Sequence, residues 1–389
     1  MTSRARCFLI FSFCAGLAAG CAKKPSVVRI AVAAPLTGEM GTEGRGLARA
    51  VDLAVEEANA SGRFPYRIEM APFDDRADPA EAVKVADIIA ADPSIVGVIG
   101  HRTSGCAIAA APVYAKAGIP MISPSATAPE VTGRQLSSAW TGARVVFRVV
   151  PTDDMQGAYA ASFVYQKLGL RRMSLVDDGT VYGQGLSQEF SKTYKNLGGT
   201  IVSDDAVVVG RKDYAALMAH LAAVKPEGLF FGGLYPEAGR IVSQMRKAHF
   251  KTVFFSGDGA QTPSIFAVAG DAADGAYFTS LGVPFEQLPG APAFMDAYRK
   301  RWNGADENIK PKDHFAYAAA QILFEALAAS GPSDRAHLLE SLRRVRHDGL
   351  LGSTSFDEKG DTADKTIAMT RARYKDRSFE IIGLSTKAD

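Results

Sequence analysis

Short apolar runs alternate with longer stretches whose apolar residues recur at helical spacing, and this alternation persists through most of the chain. Val27 to Ala34 reads as a buried strand, and Glu43 to Ala60 carries Leu47, Val51, Ala54, Val55 and Ala58 on one helical face. Tyr66 to Phe73 is the next strand. Asp78 followed by Pro79 is an N-cap with proline in the first helical turn, opening a helix to Ala90. Ile95 to Ile99, the alanine-rich Cys106 to Lys116 and Ile119 to Ile122 repeat the strand–helix–strand pattern. Such alternation specifies an α/β fold with parallel sheets and right-handed crossovers. The rhythm breaks after Pro129 and restarts near Arg148 to Pro151, with strands expected at Met173–Val176, Thr200–Val209, Gly228–Phe231, Val253–Phe255 and Gly275–Ser280. Helices are expected between them, from Thr152 or Asp153 to Leu168 and over Gly185–Leu197, Asp213–Val224 and Pro236–Ala248. Three consecutive helices (Pro292–Trp302, Asp313–Ala329, Ser333–Arg346) precede a β-rich end. Two runs of βα units without a long Pro/Ser linker predict two doubly wound lobes tied by close strands.

The amino terminus has a separate character. Arg4 and Arg6 precede the apolar run Cys7 to Phe13, which leads into Ala15-Gly16-Leu17-Ala18-Ala19-Gly20-Cys21. A basic start, a short apolar core and a small-residue exit predict a signal peptide over residues 1–20 rather than a membrane span. The exit resembles a bacterial lipobox, with Ala18 where leucine is commonest. It predicts lipidation of Cys21 and a tether over residues 21–26; ordinary cleavage near Ala19 or Gly20 is the alternative. Of the four cysteines, Cys7 and Cys14 then leave with the signal peptide, Cys21 carries lipid, and Cys106 stands alone. No disulfide is expected, although the compartment would permit one.

With 389 residues, 47% of them hydrophobic, the chain is long enough for more than one domain. A formal net charge of +2, with no basic stripe interleaved with aromatics, excludes nucleic acid as the main partner. The six histidines show no metal-ligand spacing, so no metal or cofactor is assigned. Gly44 and Gly46 open like a dinucleotide fingerprint, but the third glycine position is Arg49; a tight turn into a helix fits better.

The candidate chemistry lies where strands end. Gly100-His101-Arg102-Thr103-Ser104-Gly105 and Ser123-Pro124-Ser125-Ala126-Thr127 follow neighbouring strands and are rich in small hydroxyl residues. Loops at the carboxyl ends of parallel strands are where open α/β sheets bind ligands, and a helix N-terminus there suits a carboxylate. Ser104 is equally readable as a plain N-cap. Tyr182, in the loop after Asp177-Asp178-Gly179, is placed to wall or hydrogen-bond a ligand, or to lie on the surface. Asp258, between two glycines after another strand, suits an ammonium group, or is a loop aspartate in solvent. Cys106 has no base in recognisable relation to it and reads as a small buried hydrophobe.

Phe73-Asp74-Asp75 with Asp78-Pro79, Val98-Ile99-Gly100-His101, Ile122 to Glu130, Asp178 to Gly185, and Gly232-Gly233 with Pro236-Glu237 occur in an order and spacing that resembles the Leu/Ile/Val-binding protein family. These are the substrate-binding components of branched-chain amino-acid ABC transporters, with the type I periplasmic-binding fold. The resemblance runs from Ile30 to the turn Phe356–Asp361. It implies that Ser104, Ser125 and Thr127 take a ligand carboxylate, that Asp258 takes the ammonium and that Tyr182 is a cleft tyrosine. Leu234 stands at the position of a second cleft tyrosine, with Tyr235 beside it, and Glu43 stands where the family often places an aromatic. The family's lobe-one disulfide positions are Ala77 and Thr103. Three crossings are implied, near Arg148–Pro151, Phe278–Pro284 and Leu351–Phe356. They give lobe one as 27–147 plus 281–350 and lobe two as 148–280 plus 351–389.

The function expected is therefore non-enzymatic. A monomeric extracytoplasmic lipoprotein, anchored through Cys21, would trap a small amino acid or similar zwitterion between its lobes and deliver it to ABC permease subunits. Ligand identity would rest on Glu43, Tyr182, Leu234, Tyr235 and Asp258. A sensor of the same fold that signals to a receptor is the alternative, and a hydrolase using Cys106 or a loop serine is the remote one.

Overall fold

The computed structural model describes residues 27–302, 309–331, 335–363 and 366–385. The expected signal peptide, Cys21 and its tether lie outside the described residues.

The first lobe is built on β1 (Val27–Ala34), β2 (Arg67–Asp74), β3 (Ile95–Gly100), β4 (Met121–Ser123) and β5 (Val146–Arg148). They form a five-stranded sheet in the order β2-β1-β3-β4-β5, parallel throughout. The second sheet uses β6 (Arg172–Asp177), β7 (Thr200–Ala206), β8 (Gly228–Gly232), β9 (Val253–Ser256) and β10 (Tyr277–Leu281). After a small hairpin, β11 (His347–Gly349) with β12 (Gly352–Thr354), the chain adds β13 (Ile367–Arg373) and β14 (Ser378–Ser385). The order is β14-β13-β10-β9-β8-β6-β7; the β10–β13 and β13–β14 pairs are antiparallel and the remaining pairs parallel. In both sheets the strand order reverses next to the first strand, which is the doubly wound pattern.

Strand periodicity accounts for the cores. Leu175, Phe230 and Phe255 join one cluster of the second lobe, while Val176, Phe231 and Phe254 join the cluster on the opposite face of the same sheet. Successive side chains point to opposite faces, so fully apolar strands serve two cores at once. The first lobe has a single large cluster that includes Ile30, Val98, Ile122 and Val146. The helices Asp313–Ser330 and Arg335–Arg344 close it, through Ile322, Leu323, Leu338 and Leu342.

Local capping agrees with the sequence. The Asp78 carboxylate accepts hydrogen bonds from the backbone N–H groups of Ala80 (2.8 Å) and Glu81 (2.9 Å), and Pro79 follows it. The glycine-rich entry to the helix Gly41–Ala60 has a steric cause. A Cβ on Gly44 would lie 2.0 Å from the Pro35 carbonyl oxygen, so helix and strand end approach too closely for any side chain.

Some boundaries differ from those expected. The helix beginning at Asp153 is α-helical to Ser162 and then widens into a π-helical turn, Phe163–Lys167. The helix expected from Gly185 begins at Val181, because Thr180 caps it by accepting from the Gly183 N–H at 3.0 Å. Gly183 is there for packing: a Cβ would meet Asp178 Oδ1 at 2.3 Å and the Gly232 carbonyl at 2.5 Å. The strand Thr200–Ala206 ends three residues before the expected Val209. A further helix, Ser264–Ala269, and strand β11 have no counterpart in the sequence expectation.

The chain passes between the sheets after β5, after β10 and again before β13. Arg148, at the first passage, is fully buried. Its Nε donates to Asp361 Oδ1 at 2.6 Å, its terminal nitrogens to the Ala128 carbonyl at 2.7 Å and Thr132 Oγ1 at 3.0 Å. Its backbone N–H donates to the Gly360 carbonyl at 2.9 Å. The first and third passages are thereby joined by one buried ion pair. Among the described residues no helix is long and apolar enough to cross a membrane.

Candidate functional site

The carboxyl ends of β1, β3 and β4 in one sheet and of β6, β8 and β9 in the other converge on one cavity of about 590 Å³. Both walls follow from the topology, since parallel strands release their loops at a common edge.

On the first-lobe wall, the loop after β3 presents Arg102 and Ser104 and the loop after β4 presents Ser125. Ser104 opens the helix Ser104–Ala117, and its hydroxyl accepts from the Ala128 N–H at 3.2 Å, stitching the two hydroxyl-rich loops together. Beneath them Ser123 donates to the His101 carbonyl at 3.0 Å. The His101 ring lies between Asp75 (2.7 Å) and the Tyr114 hydroxyl (3.0 Å), all three buried. This polar underlayer fixes the floor of the cavity.

The second-lobe wall carries Tyr182, Leu234 and Asp258. Tyr182 donates to Asp258 Oδ1 at 3.0 Å and accepts from the Gly259 N–H at 2.9 Å. Burial, with the charges of Asp258 and Asp153 behind it, raises the Tyr182 phenol well above its usual range, so it stays a neutral donor. Gln156 reaches the same carboxylate, its Nε2 3.0 Å from Asp258 Oδ1, while its Oε1 accepts from the Asp258 N–H.

The lobes also bond to each other. Lys312, just before the first-lobe helix Asp313–Ser330, lies 3.0 Å from Asp258 Oδ2, and its ammonium donates to the Asp258 carbonyl at 3.2 Å. Glu43 accepts from Thr262 Oγ1 (2.9 Å) and Ser264 Oγ (2.8 Å) of the second lobe. The Tyr235 hydroxyl donates to the Glu39 carbonyl, and Arg240 pairs with the Glu39 carboxylate. Met40 packs into the second lobe's apolar cluster.

Of the residues singled out from sequence, Ser104, Ser125, Tyr182, Leu234 and Asp258 lie together on the cavity wall. Thr127, Tyr235 and Glu43 do not. Thr127 is buried behind the wall, where its carbonyl accepts the Asp153 N–H at 3.0 Å. Tyr235 and Glu43 act as latches between lobes, their polar atoms turned to Glu39, Thr262 and Ser264. Asp258 is in the cleft, and its Oδ2 is paired with the Lys312 ammonium.

Sequence reasoning passed over two residues. Arg102 sat inside the loop first singled out, but a lone arginine in a turn carries no pattern. Lys312 lies 54 residues from Asp258, so no local signal pairs them.

Cys106 is buried, and burial, with the charge of Asp75, pushes its thiol up from the ordinary value. A thiol held protonated is a poor nucleophile. No group of three or more His, Cys, Asp or Glu among the described residues is arranged to hold a metal ion.

His314, next to Lys312, is buried against Phe285 and Phe315, and burial with the neighbouring ammonium pushes its imidazole down to about 3. The folded state keeps it neutral, whereas the unfolded chain protonates it near 6.5. Its stabilising contribution is complete above the unfolded value and is lost as pH falls toward the folded one. At 1.36 kcal/mol per unit, the His314 share of the stability change between pH 6.5 and about 4 is a loss of about 3 kcal/mol, set against the opposite effect of the Asp313 and Asp178 carboxyls, which burial raises to about 8 and about 6. His314→Phe should remove that share, so in urea unfolding the stability of the variant relative to the unaltered protein should rise by about 3 kcal/mol between about pH 6.5 and about 4; a difference independent of pH would exclude His314.

The sequence profile described as periplasmic binding protein matches residues 27–377. The chain belongs to the periplasmic binding protein family. This periplasmic binding protein is 32% identical over 338 residues to the leucine-, isoleucine-, valine-, threonine- and alanine-binding protein of Pseudomonas aeruginosa, covering 86% of this chain and 87% of the relative. The Leu/Ile/Val/Thr-binding protein of Salmonella typhimurium is 31% identical, with 86% and 88% covered. A leucine-binding protein from Thermotoga maritima superposes with a TM-score of 0.82 at 27% identity, covering 93% of this chain and 99% of that one. The branched-chain amino-acid transporter substrate-binding protein of Streptococcus pneumoniae, solved with isoleucine, gives 0.81 at 27% identity, with 92% and 99% covered. Members of this family are extracytoplasmic substrate-binding proteins of ABC transporters and are not enzymes. The hydrolase alternative therefore falls, in agreement with the protonated Cys106 thiol.

Proposed function

We propose that this chain is a lipid-anchored solute receptor of an ABC importer, closing its lobes around a small organic carboxylate of amino-acid size and passing it to permease subunits. The observation that carries this reading is the cavity walled by strand ends of both sheets. A ligand seated there touches both lobes at once, so it binds the closed form better than the open one and drives closure. Ser104 and Ser125, with the N-terminus of the helix Ser104–Ala117, supply hydrogen-bond donors for a carboxylate on the first lobe. Tyr182 and Leu234 complete the opposite wall. Lipid on Cys21 would hold the receptor beside its permease.

A thermal-shift screen of the purified protein against amino acids, amides, polyamines and organic carboxylates tests the reading. A cleft ligand at about 100 times its Kd should add about 2.7 kcal/mol to the stability of the folded state, visible as a rise in Tm of several degrees. Silence across all four classes would refute solute capture.

A further inference from the structure

We propose that the cleft selects a small apolar monocarboxylate that lacks an ammonium group, with Arg102 as its anchor and Lys312 already neutralising Asp258, the carboxylate that an amino acid's cation would need. The inference rests on the solute-receptor reading and narrows it to a ligand class.

Arg102 is 4% exposed and lines the cavity. Its Nε has no hydrogen-bond partner among the described residues. Its ionic contact is Glu43, at 4.0 Å from a terminal nitrogen, beyond direct hydrogen-bond length. Glu43 directs its other oxygen to Thr262 and Ser264. A guanidinium presents five N–H donors in a planar fork, and burying them unsatisfied is costly. A carboxylate entering beside Ser104 and Ser125 satisfies that fork in the bidentate manner arginine favours.

The opposite pole of the cleft is arranged against a second charge. Asp258 is 4% exposed and receives Lys312, the Tyr182 hydroxyl and Gln156 Nε2, each at 3.0 Å. Three donors leave one of its roughly four acceptor positions open. More decisively, the carboxylate is already neutralised by a buried ammonium. A ligand ammonium brought to Asp258 would lie within a few ångströms of Lys312 in a water-poor site, where like charges repel strongly. A neutral carbon at that place meets no such repulsion. Met40, Val181, Val209, Leu234 and Pro236 offer apolar wall for the rest of the ligand.

Calorimetry with matched pairs decides the matter: leucine against 4-methylpentanoate, and phenylalanine against 3-phenylpropanoate. In the unaltered protein the des-amino acid should bind at least tenfold more tightly than its amino acid in whichever pair fits. Equal or tighter binding of the amino acid overturns the proposal while leaving solute capture intact. A hit confined to amides or polyamines in the wider screen does the same, and silence in every class removes both readings. Arg102→Gln should weaken the acid at least a hundredfold with the circular dichroism spectrum unchanged; unaltered affinity overturns the anchor. Lys312→Met should shift the pairwise ratio at least tenfold toward the amino acid, and an unshifted ratio in a folded variant overturns the role of Lys312. The ratio in the unaltered protein remains decisive if that variant does not fold.

Discussion

Replacing Arg148 with methionine is expected to lower the free energy of unfolding by about 3–5 kcal/mol, measured as a fall in the urea midpoint at constant slope. The side chain is fully buried, and its loss leaves the Asp361 carboxylate, the Ala128 carbonyl and the Thr132 hydroxyl without the guanidinium that satisfies them. Methionine fills most of the volume, so the loss reports the missing guanidinium bonds rather than a cavity, Thr132 Oγ1 still donating to Asp361 Oδ1. Removing both charges, as in Arg148→Met with Asp361→Asn, should recover a substantial part of the loss, because the penalty is chiefly that of an uncompensated buried charge. Lys84, exposed beside Glu81, is the contrast: its 2.7 Å ion pair should be worth at most about 1 kcal/mol. A loss below about 1 kcal/mol for Arg148→Met would mean that water reaches this passage between the lobes.

Asp258→Ala is the second large effect, and it should appear in the fold itself as well as in binding. Without the carboxylate, Lys312 keeps a buried ammonium whose remaining acceptor is the Asp258 backbone carbonyl, and Tyr182 and Gln156 lose an acceptor. Stranding one partner of a buried pair costs about 3–5 kcal/mol. Asp258→Asn, which keeps an oxygen acceptor, should cost less. Adding Lys312→Met to Asp258→Ala should restore stability, giving a large coupling energy in a double-mutant cycle followed by chemical denaturation. Independent, additive losses would show that the two residues are not a pair in solution. Because the bond crosses from one lobe to the other, the single variant should also loosen closure, seen as a larger radius of gyration in solution scattering.

What was legible in the sequence was local. Apolar runs such as Ile95–Ile99, the Asp78-Pro79 cap and the helical face of Leu47, Val51 and Val55 depend on neighbours a few residues away, and the strands and helices lie close to where those patterns put them. The helix expected from Gly185 starts at Val181, where Gly183 is held in close contact with Asp178 and Gly232 that only the folded lobe brings together. At the site, Leu234 was legible through the family resemblance, while position relative to a strand end brought Ser104, Ser125, Tyr182 and Asp258 to one cavity but not Thr127. It did not suffice for Glu43, whose partners Thr262 and Ser264 are 219 and 221 residues away, or for Lys312. Those pairings exist only once two sheets have folded and met, and nothing in the spacing of either partner encodes them.

The latches formed by Tyr235, Arg240 and Glu43 do not depend on anything being carried. Each lowers the energy of the shut form whether it is loaded or vacant, so the opening equilibrium is set nearer to balance than cargo alone would set it. Shifting a protein from 1:99 to 99:1 demands a preference of about 5.5 kcal/mol, and an equilibrium already near balance demands much less. The gain is that a feebly bound nutrient can still complete the transition. The corresponding burden falls on the permease, which would meet vacant shut molecules among the loaded ones and would waste ATP unless it can tell the two apart.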